Sequence, residues 1–253
     1  MGRFDGRVGL VTGAASGMGR AVALAMAREG AAVVVADVAV EGGEQCVADI
    51  VGEGGRAVFR RADVSVAADV RAAVDTAVRE FGGLDHGVNA AAIETETLPL
   101  ADCDEETFDR IISVNLRSIF LCMKYEIQVM RARGGGTVVN IASTNSFRPQ
   151  AHQAAYTASK HGVLGLTRAG AIDHAADGIR INAVCPGGIE TPMLTAAIEA
   201  RGRDPQEVAD RLSLFGRFGS PEEIARAVVW LSSDESSFTT GHALAVDGGY
   251  LAR

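Results

Sequence analysis

A tyrosine and a lysine stand four residues apart in the segment Tyr156-Thr157-Ala158-Ser159-Lys160. On a helix this spacing projects both side chains from one face, so the lysine ammonium can lie beside the tyrosine hydroxyl. A free phenol titrates near pH ~10, and an adjacent positive charge stabilises the phenolate and lowers the pKa. Tyr156 would then serve as a general acid or base. Taken alone, the pattern fixes only two positions, and chance spacing on a surface helix is the better explanation.

Further candidates come from the elements that would position this pair. A glycine-rich loop joins a short apolar run at residues 8–12 to a helical pattern that begins near Ala21. Gly13, Gly17 and Gly19 give it the spacing G-x-x-x-G-x-G. Such glycines allow a tight turn and let the backbone approach a pyrophosphate, whose charge then lies at a helix N-terminus. A simple connection between strand and helix is the alternative reading of this loop.

Asp37 follows the next apolar run, residues 32–36, at the end where a parallel strand presents its ligand-binding groups. A carboxylate about 20 residues after the glycine loop accepts hydrogen bonds from the two hydroxyls of an adenosine ribose and repels a 2′-phosphate. NAD is therefore favoured over NADP. A helix N-cap before Val40 is the alternative role for Asp37, but loop and acid together make ribose recognition the better explanation.

Strand and helix patterns alternate along the whole chain. This alternation predicts an α/β fold with a single-domain, Rossmann-type doubly wound parallel sheet, about seven strands and helices on both faces. No linker rich in proline or serine divides the chain, so residues 1–253 are predicted to form one domain. Ligands should gather outside the carboxyl ends of the strands. The predicted strands cover residues 8–12, 32–36, 57–62, 87–89, 137–142, 179–184 and 243–246.

Two more polar residues have positions that matter for the chemistry. Ser143 follows the predicted strand at 137–142, and an irregular loop separates it from Tyr156, so the two hydroxyls can meet at one substrate oxygen. Asn115 lies among apolar residues in a long helical pattern that runs from Asp104 toward Arg133. Buried amides need partners, so Asn115 is either a structural hydrogen-bonding residue or part of a proton path. Spacing alone does not decide between them.

The composition narrows the range of partners. The chain has 24 basic and 32 acidic residues, which gives a formal net charge of −8. Nucleic acids and anionic membranes are bound by clustered Lys and Arg, so small molecules are the expected partners. No apolar run approaches the ~20 residues of a membrane span and no signal peptide is recognised, which predicts a cytoplasmic protein.

Metal binding and disulfide bonds are not expected. The four cysteines form no C-x-x-C pair, which fits reduced structural thiols, and the five histidines show no ligand spacing. The cysteines are Cys46, Cys103, Cys122 and Cys185.

The combination of Ser143, Tyr156 and Lys160 with the glycine loop and Asn89 resembles the classical short-chain dehydrogenase/reductase family. The resemblance covers nearly the whole chain, and several short motifs in the same order make coincidence improbable. Later segments that agree with it are Cys185-Pro186-Gly187, Ile189, Thr191 and Asp247-Gly248-Gly249.

This resemblance implies roles for the candidate residues. Tyr156 would be the acid/base at the substrate oxygen, Ser143 would hydrogen-bond that oxygen, and Asn115 would hold a water in a proton relay. Lys160 would lower the tyrosine pKa and bind the nicotinamide ribose. The implied reaction is hydride transfer between NAD and a secondary alcohol or ketone. The implied cofactor-binding residues are Gly13, Ser16, Gly17, Met18, Gly19, Asp37, Asp63, Val64, Asn89, Tyr156, Lys160, Ile189 and Thr191.

The resemblance also implies a substrate pocket and an assembly. A lid around residues 190–218 is expected to be apolar, and family members commonly form homotetramers. Polar residues near the pocket either bind a polar substrate or form solvated surface: Glu94, Glu96, Arg148 and His152.

Three positions depart from the family pattern. Ala90 and Ala92 replace an asparagine and a glycine near the expected cofactor path, which is expected to affect cofactor affinity. Ser146 replaces a common glycine, so that loop is expected to differ in shape and to alter the pocket.

Two other functions compete with a dehydrogenase. A non-catalytic dinucleotide sensor need not keep the serine, tyrosine and lysine together, so their presence favours an enzyme. A methyltransferase with a similar ribose-binding acid does not account for Tyr156 and Lys160.

Overall fold

A seven-stranded parallel sheet forms the centre of the computed structural model, which describes residues 2–253. The strands are Val8–Thr12 (β1), Ala32–Asp37 (β2), Arg56–Arg61 (β3), His86–Asn89 (β4), Gly136–Ile141 (β5), Ile179–Pro186 (β6) and Ala243–Val246 (β7).

The strand order across the sheet is β3-β2-β1-β4-β5-β6-β7, and every neighbouring pair is parallel. The chain first builds outward from β1 to β3 and then returns to place β4 on the other side of β1. The direction of winding therefore reverses between β1 and β4, which is the topological switch point where such sheets bind ligands. The predicted doubly wound sheet is confirmed.

Helices cover both faces of the sheet. The α-helices within the described residues are Gly17–Arg28 (α1), Val40–Gly52 (α2), Ala67–Phe81 (α3), Glu105–Ile112 (α4), Ser118–Arg133 (α5), Ala154–His174 (α6), Pro192–Ala200 (α7), Pro205–Leu212 (α8) and Pro221–Ser232 (α9).

Alternate residues of β2 enter two different hydrophobic cores. Val33 and Val35 pack in the core that contains α1 and α9, whereas Val34 and Ala36 pack in the core that contains α3, α5 and α6. Successive side chains of a strand point to opposite faces, so a strand covered on both faces is apolar at every position. This explains why the central strands appear in the sequence as short continuous apolar runs.

The long helix predicted from Asp104 to Arg133 is interrupted. A π-helical turn, Ser113–Arg117, joins α4 to α5, and Asn115 is buried within it. Such turns are often found at functional sites, because the extra residue in the turn releases backbone groups from the regular helical ladder.

Two short helices, α7 and α8, follow β6 in the segment where a lid is predicted. Thr191 and Asp204 accept hydrogen bonds from the first turns of α7 and α8, and Pro192 and Pro205 occupy the first helical positions. None of the helices between residues 2 and 253 combines the length and apolar composition that crossing a membrane requires.

Candidate active site

A cleft opens at the carboxyl ends of β1, β2 and β4. Its walls come from the glycine loop, from the residues that follow β2 and β3, and from 90–93 after β4. Most of the predicted cofactor-binding residues lie in it. These are Gly13, Ser16, Gly17, Met18, Gly19, Asp37, Asp63, Val64 and Thr191.

At two positions of the glycine loop, a larger residue would place its Cβ atom too close to neighbouring backbone atoms. Gly13 has φ +68°, and a Cβ there would lie 2.7 Å from Ala91 Cα. A Cβ at Gly19 would lie 2.1 Å from the carbonyl oxygen of Gly13. Ser16 precedes α1 and its side chain makes no capping hydrogen bond to the described residues. The loop therefore exposes the N-terminus of α1 to the cleft, which fits the pyrophosphate of a dinucleotide.

Asp37 faces this cleft from the end of β2. Its Oδ2 accepts a hydrogen bond from the Ala15 amide at 2.9 Å, and its Oδ1 accepts one from the Ala39 amide at 2.9 Å. Ala39 is the N-cap residue of α2, so the carboxylate does not bond the amides of that helix's first turn. Each oxygen keeps a lone pair directed away from these bonds, which suits ribose hydroxyls better than the helix-cap alternative.

Asn89 differs from the other predicted cofactor residues. Its side chain is buried, and Nδ2 donates to Glu126 Oε2 at 3.1 Å and to Asn140 Oδ1 at 3.0 Å. The side-chain amide therefore lies in the core between the sheet and α5, and not in the cleft. Only the backbone of Asn89 is left to contact a cofactor.

A smaller pocket adjoins the cleft and contains both catalytic hydroxyl candidates. Ser143 and Tyr156 line it. Met18, Thr191 and Met193 line the pocket and the cleft alike, so the two spaces meet. The remaining wall is mixed in character, with apolar lid residues and a few polar groups. It includes Glu94, Asn145, Gln150, Gln153, Ile189, Leu194, Leu212 and Tyr250.

Lys160 lies beneath Tyr156 on α6, as the sequence spacing predicts. Its Nζ is 5.5 Å from the centroid of the Tyr156 ring and donates to the carbonyl oxygen of Ile141 at 2.9 Å. Lys160 is 2% exposed, and burial lowers its pKa to about 8. Burial also raises the pKa of Tyr156 to about 12; the Ser143 hydroxyl opposes this shift and the charge of Glu94 adds to it.

The expectation that Lys160 moves the Tyr156 pKa toward neutrality is wrong for the polypeptide by itself. Removing the phenol from water disfavours the phenolate. With a pKa of about 8, Lys160 still carries its charge at neutral pH, but the effect of burial on the phenol is larger. Without a ligand, Tyr156 is therefore a protonated phenol at neutral pH.

The departures from the family pattern have local structural consequences. Ser146 is buried and its Oγ donates to the carbonyl oxygen of Lys160 at 2.7 Å, which ties the loop after β5 to α6. The Thr12 hydroxyl accepts from the amides of Ala90 and Ala91 at 3.2 and 3.5 Å. These two bonds hold the segment after β4 against β1. The family has an asparagine at the position of Ala90.

Asn115 fixes the same segment from the other side. Its Oδ1 accepts from the Ile93 amide and its Nδ2 donates to the Ile93 carbonyl oxygen, both at 2.8 Å. This two-point contact uses one donor and the acceptor oxygen of the amide, and the side chain is 0% exposed. The Asn115 side chain therefore has a structural role, as one of the two alternatives holds. Any part of Asn115 in a proton path would fall to its backbone in the π-helical turn.

Glu96 has a role that the sequence did not reveal. Its carboxylate accepts hydrogen bonds from the amides of Ala155 and Tyr156, at 2.9 and 2.8 Å. Gln153, the N-cap residue of α6, makes no side-chain cap bond to the described residues. Glu96 is buried and replaces the missing cap, so it does not bind a substrate. The absence of Ser, Thr, Asp or Asn before Ala154 is the one sequence signal for a distant cap.

The other polar residues near the pocket have partners of several kinds. Glu94 forms an ion pair with Arg201, which follows α7 and also donates to the carbonyl oxygen of Glu96 at 2.7 Å. The Arg148 guanidinium lies 4.8 Å from the centroid of the Tyr250 ring, and its Nη1 donates to the carbonyl oxygen of Tyr250 at 3.3 Å. His152 is exposed in the same loop. Only Glu94 among the four predicted candidates lines the pocket beside Ser143 and Tyr156.

Comparison with known proteins identifies the family. Residues 13–251 match a family model described as enoyl-(acyl carrier protein) reductase. The chain is 43% identical to the short chain dehydrogenase/reductase astE of Aspergillus oryzae, over 97% of this chain and 95% of that protein. It is 40% identical to cyclohexanol dehydrogenase of Acinetobacter sp. strain SE19, over 99% of this chain and 97% of that protein.

A solved structure agrees with these relatives. The crystal structure of levodione reductase superposes with a TM-score of 0.94 at 37% sequence identity, covering 98% of this chain and 99% of that one. The relatives are named as dehydrogenases and reductases, and the proteins of this family typically use nicotinamide dinucleotides. The chain therefore belongs to the classical short-chain dehydrogenase/reductase family of oxidoreductases.

Proposed function

We propose that this protein is an NAD(H)-dependent oxidoreductase that interconverts a secondary alcohol and a ketone on a six-membered carbon ring. The observation that carries the proposal is the junction of the two cavities. Met18, Thr191 and Met193 line both, so Ser143 and Tyr156 face the end of a cleft that fits a dinucleotide. The names of cyclohexanol dehydrogenase and levodione reductase, which are relatives of this chain, support a ring substrate.

Tyr156 is the proposed general acid/base. Because its pKa is raised to about 12, it holds its proton at neutral pH and can donate it to the oxygen of a ketone being reduced. Ser143 donates a second hydrogen bond to the same oxygen and stabilises the negative charge that develops there. Bound NAD(H) supplies or accepts the hydride.

Lys160 and Asn115 support this proton transfer. The Lys160 ammonium stabilises the phenolate that remains after Tyr156 gives up its proton, and it is also proposed to bind the nicotinamide ribose. Asn115 is proposed to hold the relay water through its backbone, because its side chain is committed to Ile93.

The preference for NAD rests on Asp37. Its carboxylate lies in the cleft with a free lone pair on each oxygen, which supports ribose binding and disfavours a 2′-phosphate. We propose that the glycine loop holds the pyrophosphate and that Asp63 and Val64 border the adenine. The backbone of Asn89, together with Ile189 and Thr191, completes the proposed cofactor site. The homotetramer, the cytoplasmic location and the single domain stay predictions.

The experiment that tests this function follows NADH absorbance with the purified chain. The panel contains cyclohexanol, cyclic diketones, open-chain secondary alcohols, sugars and steroids, each with NAD or NADP. We expect turnover of cyclohexanol or a cyclic diketone with NAD(H), and weaker turnover with NADP(H). Binding of NADH without turnover of any compound would support the competing function, a non-catalytic dinucleotide sensor.

A further inference from the structure

Arginines gather at the outer end of the substrate pocket. A surface cavity beside the lid is lined by four arginines and by no acidic side chain. This is unexpected in a chain whose formal net charge is −8. The four arginines are Arg148, Arg203, Arg211 and Arg253.

Two of these arginines have no partner. The guanidinium groups of Arg203 and Arg211 make no hydrogen bond or ion pair with residues 2–253. Both residues are exposed, and both line the same two cavities. In contrast, Arg148 donates to the Tyr250 and Arg253 carbonyl oxygens, and Arg253 donates to the carbonyl oxygen of Asp210. Unpaired like charges in one concave site repel each other and attract an anion.

The arginine cavity adjoins the catalytic pocket through an inner cavity. An inner cavity beneath the lid contains Arg203 and Arg211 and also Glu94, a residue of the catalytic pocket. Gln150 lines all three spaces. A ligand that passes Gln150 would reach from Tyr156 to the arginines.

The wall between the two ends is mixed, with aliphatic side chains and also polar groups such as Gln150 and Gln153. The helices α7 and α8 contribute aliphatic side chains, and Glu94 is ion-paired with Arg201. A hydrocarbon body can pack against the aliphatic side chains, and the polar groups remain for its charged end. The aliphatic residues are Leu194, Ala197, Ile198, Val208 and Leu212.

We propose that the substrate is a hydroxy or keto acid whose hydrocarbon body ends in a carboxylate or phosphate bound by Arg203 and Arg211. A guanidinium group recognises either anion through paired N–H donors. The inference rests on the proposed function and adds an anionic end to the substrate class. It makes Arg203 and Arg211 determinants of specificity, with no part in the hydride or proton transfer.

The test compares acids with their uncharged amides. The acid probes are 4-hydroxycyclohexanecarboxylate, 4-hydroxycyclohexylacetate and 3-(4-hydroxycyclohexyl)propionate. Each is compared with its matching carboxamide, and all are assayed with NAD. The test variant is Arg203→Gln/Arg211→Gln. The control variant is Arg60→Gln/Arg226→Gln, which removes the same charge from two exposed arginines that also lack ion pairs in the described structure.

We expect the wild type and the control to favour one acid over its amide by about tenfold in kcat/KM, mainly through KM. In Arg203→Gln/Arg211→Gln this ratio should fall to near one while kcat/KM for the amide stays unchanged. Added NaCl should lower the ratio in the wild type, because salt screens exposed charges. Equal use of acid and amide by the wild type, or an acid preference that survives in the test variant, would overturn the proposal.

A binding measurement separates this inference from the proposed function. Calorimetric titration of cyclohexylacetate, cyclohexyl phosphate and cyclohexylacetamide into the NADH-loaded chain needs no turnover. Tighter binding of either anion, lost in the test variant, supports the arginine site even if no alcohol is oxidised, and the two anions distinguish carboxylate from phosphate. Equal binding of all three probes by the wild type would overturn the proposal. If the molecular mass of the protein assembly in solution also changes only in the test variant, the arginines would be assigned to contact between copies of the chain.

Discussion

The cap that Glu96 places on α6 leads to a quantitative prediction. The Glu96→Ala substitution removes the acceptor for the amides of Ala155 and Tyr156, which are bonded at 2.9 and 2.8 Å. Glu96 is 3% exposed, so water has little access to these amides once the carboxylate is gone. The first turn of the helix that carries Tyr156 would lose its only side-chain cap among the described residues.

The expected cost follows from the two bonds. A hydrogen bond to a charged partner contributes about 1.5–3 kcal/mol, so Glu96→Ala should lower the free energy of unfolding by roughly 4 kcal/mol. For a chain of this size that corresponds to a fall of roughly 10 °C in Tm. Glu96→Gln keeps one acceptor oxygen but loses the charge at the helix N-terminus, so about half of the loss is expected.

The assay combines thermal unfolding with kinetics. The control is Glu44→Ala, because Glu44 is exposed on α2 and makes no hydrogen bond or ion pair with residues 2–253. We expect its Tm to match the wild type, whereas Glu96→Gln should also lower kcat by about tenfold through displacement of Tyr156. A Glu96→Ala protein with the Tm and kcat of the control would show that these bonds do not hold the helix.

Three further predictions test the proposed site. Tyr156→Phe should abolish turnover while NADH binding, measured by fluorescence, stays intact; residual turnover near wild type would reject the acid/base role. Asp37→Ala should weaken NADH binding and raise the relative use of NADPH in kcat/KM, and unchanged discrimination would contradict ribose binding. Burial lowers the pKa of Lys160 from 10.5 to about 8, so between these values the unfolded state binds more protons and stability rises with pH. Relative to Lys160→Met, the free energy of unfolding of the wild type should rise by about 3 kcal/mol across that window, and parallel pH curves in denaturant unfolding would refute the shift.

The sequence by itself was enough to predict the doubly wound parallel sheet, the glycine loop and the placement of Tyr156 above Lys160. Each of these follows from local patterns, because the spacing of apolar residues sets strand and helix, and a spacing of four residues sets a shared helix face. The position of Asp37 in the cleft is also local, since it follows from its place at the end of a parallel strand.

Tertiary structure alone decided the partners of the polar side chains. Glu96 meets the Tyr156 amide across 60 residues of sequence, and Asn89 meets Asn140 across 51. The arginine cavity likewise joins the loop after β5 to α8 and the chain after β7. Such contacts, like the raised pKa of Tyr156, depend on which distant residues exclude water from a group, and no local sequence pattern encodes that.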